Sequence, residues 1–381
     1  MDQMGQKLTV GITGQGGFMG SHVYNFLGTK TEEIERINFE RNYFENEANL
    51  QKFVKACDVI VHIAAMNRHE DQQVIYNTNV GLVQKLVSAC EATNATPKII
   101  FSSSTQEEKD NLYGKSKRDG RQLLENWAIK TGGSVASLII PNVFGPFGKP
   151  FYNSFIATFS HQIIAGEQPT VINDSNVNLI YINELSQAFY EEIIAKDAAK
   201  AIDAFIVPHT SSRKVSEILG LLKEFKTQYV DNGQVPKVDL NSFELDLFNT
   251  FTSFIPKEYF PRKFTKHTDN RGAFVEIMRA GSAGQSSYST TVPGITRGNH
   301  YHTRKVERFA VISGKASVKL RKIDSNEIFE YILDGAEPAY VDMPIWYTHN
   351  ITNIGETELI TLFWINEPYN QEDADTYFVE V

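Results

Sequence analysis

Cysteine is nearly absent, with only Cys57 and Cys90 in 381 residues. Two thiols make no disulfide framework and fit a reducing compartment. Basic residues do not dominate either: 37 Lys and Arg stand against 46 Asp and Glu, for a formal charge of −9. That balance argues against a general nucleic-acid binder and against attachment to anionic membranes. No apolar run approaches the roughly 18 residues of a membrane span. The opening residues MDQMGQKLTV lack the basic start and apolar stretch of a signal peptide. Internal repeats and low-complexity tracts are missing too. What remains, 41% hydrophobic and 22% charged, is an ordinary globular composition. The expectation is a cytoplasmic enzyme, and its length suggests two domains.

Strand-like and helix-like segments alternate in the first part of the chain. Leu8–Thr13, Val59–Ala64, Ile99–Ser102 and Val135–Ile140 read as strands, with helices at Phe18–Leu27, Gln72–Ala92 and Lys115–Lys130. Near-continuous apolar strands between amphipathic helices predict a parallel α/β sheet covered on both faces. From Lys263 the texture changes to short alternating strands (Phe274–Ile277, Phe309–Ile312, Ser317–Leu320, Glu327–Ile332, Leu359–Trp364) separated by turns such as Ser313-Gly314 and Asp334-Gly335. That pattern predicts an all-β barrel or sandwich. The expected division is 1–248, a linker at 249–262 containing Pro256 and Pro261, and 263–381.

Directly after the first strand comes Thr13-Gly14-Gln15-Gly16-Gly17-Phe18-Met19-Gly20. Glycines at 14, 17 and 20 let the chain turn sharply and approach a pyrophosphate, and the following helix offers its N–H groups. The proton chemistry falls to Tyr113-Gly114-Lys115-Ser116-Lys117. Tyr113 and Lys117, four apart, share a helix face, and an ammonium near the phenol is expected to lower its pKa. Ser102-Ser103-Ser104 ends a strand where α/β sheets bind ligands, so a hydroxyl there can hold the reacting oxygen. At the end of the second strand, Glu40 suits the ribose hydroxyl of NAD and Arg41 the phosphate of NADP. Arg41 inclines the expectation to NADPH, a solvated Glu40–Arg41 pair being the alternative.

In the last third, His300, His302, Glu307 and His349 could converge on a divalent metal, since i and i+2 of a strand face one way. Three imidazoles and a carboxylate suit Zn, Mn, Fe or Ni, with zinc the expected ion.

These residues carry several resemblances. Thr13-Gly14…Gly17…Gly20, His62-Ile63-Ala64-Ala65, Asn79, Ser102–Ser104, Tyr113…Lys117 and Pro141-Asn142-Val143-Phe144-Gly145-Pro146 resemble the extended short-chain dehydrogenases/reductases that modify nucleotide-linked sugars. That likeness implies a Rossmann-type fold, with Tyr113 as general acid/base, Lys117 on the nicotinamide ribose and Ser104 on the carbonyl. Gly14, Gly17, Phe18, Gly20, Arg41, Ala64 and Ala65 would bind the cofactor, and Arg68 and Asn142 the substrate. A departure is Ile140-Pro141, where many relatives carry an arginine. Gly294…His300-x-His302…Glu307…Gly314 resembles the first cupin motif, and Pro344-x-Trp346-x-x-His349 part of the second, with Trp346 where glycine is usual. Asp269-x-Arg271-Gly272-x-Phe274-x-Glu276 and Gly294-x-x-Arg297-Gly298-x-His300-Tyr301 resemble the sugar-nucleotide 3,5-epimerases. In that family the arginines, here Arg271 and Arg297, address phosphates and the histidine is the base. The two likenesses conflict at His300, which is taken as a metal ligand. The base then stays open among Glu276, Tyr347, His267 and others.

The order of the two parts resembles, over the whole chain, the capsule and O-antigen enzymes that fuse such a reductase to a cupin. Asn67-Arg68, Tyr347-Thr348-His349-Asn350 and the terminal Asp375-Thr376-Tyr377-Phe378 are among the local matches. The resemblance implies C3 epimerisation of a UDP-2-acetamido-2,6-dideoxy-4-hexulose by the cupin part, then NADPH-dependent C4 reduction to UDP-2-acetamido-2,6-dideoxy-L-talose, by a homodimer. Two alternatives stand beside it. One is a single-activity dehydratase or C4-epimerase that holds NAD tightly and dimerises through the barrel. The other is a sugar-nucleotide-binding regulator without turnover.

Overall fold

The computed structural model describes residues 7–195, 202–269, 272–275, 284–367 and 370–381. The expected α/β and all-β parts are both present. In the first, β1 (Leu8–Thr13), β2 (Ile34–Ile37), β3 (Val59–His62), β4 (Lys98–Ser104), β5 (Ser134–Ile140) and β8 (Ile202–Ile206) form one sheet, ordered β2-β1-β3-β4-β5-β8. Every neighbouring pair is parallel. The crossovers carry α1 (Phe18–Leu27), α2 (Glu47–Ala56), α3 (Gln72–Thr93) and α4 (Leu112–Thr131). A core of Phe39, Phe44, Phe53, Leu86, Phe101 and Trp127 packs between helices and sheet. Strand order reverses between β1 and β3, so a crevice opens at their carboxyl ends, where doubly wound sheets bind ligands. Beside this sheet, β6 (Asn142–Phe144), β7 (Asn176–Tyr181) and β9 (Ser211–Lys214) form a small second one, and α5 (Phe155–Ile164) and α6 (Ile182–Ile194) flank β7 in the chain.

After α7 (Val215–Phe225) and α8 (Phe243–Thr252) the chain is nearly all β. Its strands are β10 (Arg262–Lys263), β11 (Lys266–Asp269), β12 (Gly272–Val275), β13 (Gln285–Thr291), β14 (Thr296–Tyr301), β15 (Glu307–Ser313), β16 (Lys315–Lys322), β17 (Ile328–Asp334), β18 (Ala339–Met343), β19 (Tyr347–Asn353), β20 (Leu359–Ile365) and β21 (Tyr377–Phe378). Two five-stranded antiparallel sheets result, β10-β18-β15-β20-β13 and β17-β16-β19-β14-β21, with β11 and β12 as a separate hairpin. Val318, Leu320, Val341, Met343, Tyr347 and Ile351 fill the space between the sheets. This is a cupin-like double sheet.

Residues 249–262, expected to be a linker, are folded: α8 runs to Thr252, with Asn249, Thr250, Phe251 and Thr252 buried. The chain divides into two compact units, and 145–147, 156–174 and 215–381 cluster together in the second. No helix among the described residues is long and apolar enough to cross a membrane.

Candidate functional sites

The glycine loop lies in the β1/β3 crevice. Gly14 adopts φ +78°, and a Cβ there would stand 2.9 Å from the backbone of Ala64. On Gly20 a Cβ would stand 2.1 Å from the carbonyl of Gly14. Glycine is what lets α1 and the loop after β3 approach this closely. Gly17 caps α1 without a side-chain acceptor, so the helix presents its first N–H groups and its dipole at the carboxyl edge of the sheet, a cradle suited to a pyrophosphate. Phe18 opens the helix and packs edge-on against His22, and Ala64 and Ala65 line the loop after β3. Gln15, which the motif treats as a spacer, spans this loop and the end of β2: its amide donates to Asn38 Oδ1 (2.7 Å) and accepts from Phe39 N–H (3.0 Å). Glu40 and Arg41 are exposed, and among the described residues they form no ion pair with each other.

Tyr113 and Lys117 sit in the first turns of α4, whose start is fixed by Asn111 accepting from Gly114 N–H at 2.7 Å. Lys117 is buried; its ammonium donates to the carbonyl of Ser102 (2.8 Å) and lies 5.9 Å from the centre of the Tyr113 ring. Burial lowers its pKa to about 8, against the opposing pull of Glu107. For Tyr113 the spacing argument predicts a depressed phenol. Instead burial, with Tyr152 nearby, pushes it up to about 12. Desolvation outweighs the neighbouring ammonium in the protein alone. Behind Lys117, His62 is stacked on Phe101 and bonded to Thr13 Oγ1 (2.7 Å). Burial, then the Lys117 charge, lowers its pKa to about 3. Ser104 ends β4 and accepts from Gln106 N–H at 3.2 Å, which leaves its hydroxyl proton free to donate. Asn79 ties the loop after β3 to α4, holding Met66 through both backbone groups (2.7 and 3.1 Å) and reaching Ser116 Oγ (3.0 Å).

Arg68 donates to the carbonyls of Phe151 (2.5 Å) and Tyr152 (3.3 Å), bracing the loop that carries Tyr152. Asn142 lines a cleft of about 510 Å³ together with Thr105, Phe155, Asn178, Val207 and His209.

In the barrel, His300, His302, Glu307 and His349 come together, with one ligand atom from each lying within 4.8 Å of the others. His300 lies next to the end of β14, and His349 lies opposite it on β19 because the register shifts between Gly298 and His300, where Asn299 is left-handed (φ 59°). Without that bulge His300 would slip off this pairing. Glu307 starts β15 in the other sheet, and His302 lies just past β14. Nδ1 of His302 bonds the carbonyl of Asp375 (2.5 Å) and Nδ1 of His349 that of Tyr347 (3.2 Å). A carbonyl only accepts, so both Nδ1 atoms carry the proton and a neutral ring turns its Nε2 lone pair inward. Those Nε2 atoms stand 3.3 and 2.9 Å from Glu307 Oε2. All three are buried and lack a hydrogen-bond partner. Three inward acceptors on one point, with their outer nitrogens tied to the backbone, fit a divalent cation. Burial, then the neighbouring imidazoles, lowers the pKa of His300 to about 4, which keeps it neutral and able to ligate.

Trp346 is buried and adopts φ +62°, a left-handed conformation that glycine reaches freely and a tryptophan rarely. Its backbone N–H donates to His302 O (2.8 Å) and its indole stacks on Tyr301. Arg297 is held by Thr291 Oγ1 and Thr290 O at 3.0 Å each. Arg271 and Glu276 lie outside the described residues, and His267 lies on β11. Sequence reasoning singled out neither Gln15 nor the Asp375–His302 contact.

The profile of the NAD dependent epimerase/dehydratase family matches residues 10–207, and that of the polysaccharide biosynthesis C-terminal domain matches 267–377. The chain is 32% identical over 374 residues to the UDP-2-acetamido-2,6-beta-L-arabino-hexul-4-ose reductase of Pseudomonas aeruginosa, covering 97% of this chain and 98% of that one. It resembles the crystal structure of the capsular polysaccharide assembling protein CapF from Staphylococcus aureus at 34% identity and TM-score 0.60, over 98% of this chain and 100% of that one. RMD from Pseudomonas aeruginosa, solved with NADPH, shares the fold at 16% identity over 65% of the chain, TM-score 0.55. The chain belongs to the NAD dependent epimerase/dehydratase family, in the group that includes CapF, with a polysaccharide biosynthesis C-terminal domain following the dinucleotide fold.

Proposed function

We propose that this protein is a bifunctional sugar-nucleotide enzyme that epimerises C3 of a UDP-2-acetamido-2,6-dideoxy-4-hexulose in its barrel. It then reduces the C4 ketone in its dinucleotide fold, giving UDP-2-acetamido-2,6-dideoxy-L-talose. The observation that carries this reading is the 32% identity, over 97% of the chain, to a hexul-4-ose reductase, joined to two sites of different chemistry in one chain.

In the reductase, Gly14, Gly17 and Gly20 with the start of α1 hold the dinucleotide, Ala64 and Ala65 line its crevice, and Arg41 meets the 2′-phosphate of NADPH. When bound, the nicotinamide supplies the hydride. Ser104 donates its free hydroxyl proton to the C4 oxygen, and Tyr113, kept as a neutral phenol by burial, delivers the proton that completes the alcohol. The Lys117 ammonium stabilises the phenolate left behind and hydrogen-bonds the ribose. Asn142 and Arg68 border the sugar nucleotide.

In the barrel, His300, His302, Glu307 and His349 would hold zinc, which supplies Lewis acidity toward the ketone oxygen. Such acidity would make the C3 hydrogen easier to remove, and Glu276, Arg271 and Arg297 serve the sugar and its phosphates. Tyr347 shares the inward face of β19 with His349. Burial raises its phenol to about 12, so it returns a proton to C3 after Glu276 or His267 has taken the first one. The shared ketone links the two steps: once it is reduced, the C3 hydrogen loses its acidity and the epimerisation is locked in.

The test is to incubate the purified chain with the UDP-linked 4-hexulose and NADPH and to identify the product by NMR. Stoichiometric NADPH oxidation with inversion at C3 is expected. Reduction with C3 retained would remove the epimerase half, and no oxidation would remove the reductase half.

A further inference from the structure

The last residues of the chain fold back onto the metal-binding strands. β21 pairs with β14 opposite His300 and Tyr301, and Val379 N–H donates to Asn299 O at 2.9 Å. Thr348, next to His349, donates to Val379 O. Ahead of β21, Asp375 is buried and left-handed (φ 44°). Its carboxylate accepts from Thr303 N–H (3.1 and 3.2 Å), Thr303 Oγ1 (2.7 Å) and Arg304 N–H (3.0 Å). Its carbonyl accepts from His302 Nδ1. Arg304 in turn reaches Glu367 and Asp373, and Lys305 donates to Ala374 O at 2.7 Å.

We propose that Asp375 is a positioning residue of the metal centre, holding the 302–304 loop by its carboxylate so that its own carbonyl fixes the orientation of His302. The loop between β14 and β15 carries one ligand, His302, and leads directly into another, Glu307. The carboxylate satisfies two of its N–H groups and the Thr303 hydroxyl together. With the loop fixed, the carbonyl can reach Nδ1, and Nε2 can point only inward. Outer partners of this kind set the tautomer and direction of a ligating imidazole. Asp375 is not one of the four clustered ligand residues. This inference rests on the four residues being a metal site.

The test compares wild type, Asp375→Ala and Thr303→Val as full chains. Zn2+ affinity is read by competition with a chromophoric chelator, the visible spectrum after Co2+ loading reports geometry, and NADPH binding serves as a folding control. We expect Asp375→Ala to weaken Zn2+ binding about 10–100-fold. Thr303→Val, which removes a single contact, should weaken it less, and NADPH affinity should stay unchanged in both. The Co2+ bands should shift in Asp375→Ala, a change that a merely structural role would not produce. If Asp375→Ala fails to fold, Thr303→Val still decides through its Zn2+ constant. Variants that bind Zn2+ as wild type does, whatever their melting temperature, would overturn the inference. A wild-type chain that takes up neither ion would overturn the metal site itself, and that result appears in the wild-type arm alone.

Discussion

Nε2 of His349 and Oε2 of Glu307 stand 2.9 Å apart, although β19 and β15 belong to different sheets. Each is an acceptor, and both are buried. Two lone pairs meeting in a low-dielectric interior repel each other unless a proton or a cation comes between them.

Removing the charge from one ligand should therefore unload the site. Glu307→Gln keeps the shape of Glu307, and we expect it to lower Zn2+ affinity at least about 100-fold, near the upper end for loss of an outer partner. Chelator treatment of wild type should abolish proton exchange at C3 and leave NADPH oxidation with an already epimerised ketose intact. Elemental analysis with parallel rate measurements checks both, and an exchange rate indifferent to chelation would mean the cation has no part in it.

Lys117 gives the reductase an alkaline limit. Burial lowers its pKa from the ordinary 10.5 to about 8, so the ammonium is present below that pH and lost above it. Stabilisation of the Tyr113 phenolate goes with it. Reduction should fall as pH rises through about 8, approaching tenfold per pH unit. In Lys117→Arg, slower overall, the limb should move beyond pH 10 because guanidinium stays charged. A wild-type profile flat from pH 7 to 10 would separate the rate from this ammonium.

Arg41 is exposed and unpaired with Glu40. Arg41→Ala should lower the preference for NADPH over NADH, as a ratio of kcat/KM, by at least about fivefold, the scale of ~1 kcal/mol for an exposed charge pair. An unchanged ratio would return the preference to Gln15 and Asn38 at the end of β2.

Local patterning made much of this legible. β1 and α1 have the bounds that apolar periodicity predicts, and the cluster of His300, His302, Glu307 and His349 was readable because residue type and spacing bring such side chains to one point. What stayed hidden depends on distant contacts. Asp375 lies 73 residues from His302, inside an acidic stretch that reads as solvated surface. The bulge at Asn299 leaves no composition signal, and one residue of slip changes which side chains meet. The spacing of Tyr113 and Lys117 shows proximity but says nothing of burial, which decides the direction of the phenol's shift. Residues 249–262 look like a linker because prolines interrupt them, while their aromatic side chains are what pack them down.

The central claim is that two pockets act in turn on one ketone. It is tested most directly by incubating Tyr113→Phe with the UDP-linked 4-hexulose in D2O and following deuterium at C3 by NMR. Deuterium should enter C3 while NADPH oxidation drops about 10²–10⁴-fold, and a further His349→Ala change should abolish the exchange. Loss of exchange in Tyr113→Phe alone, or exchange that survives His349→Ala, would contradict the claim.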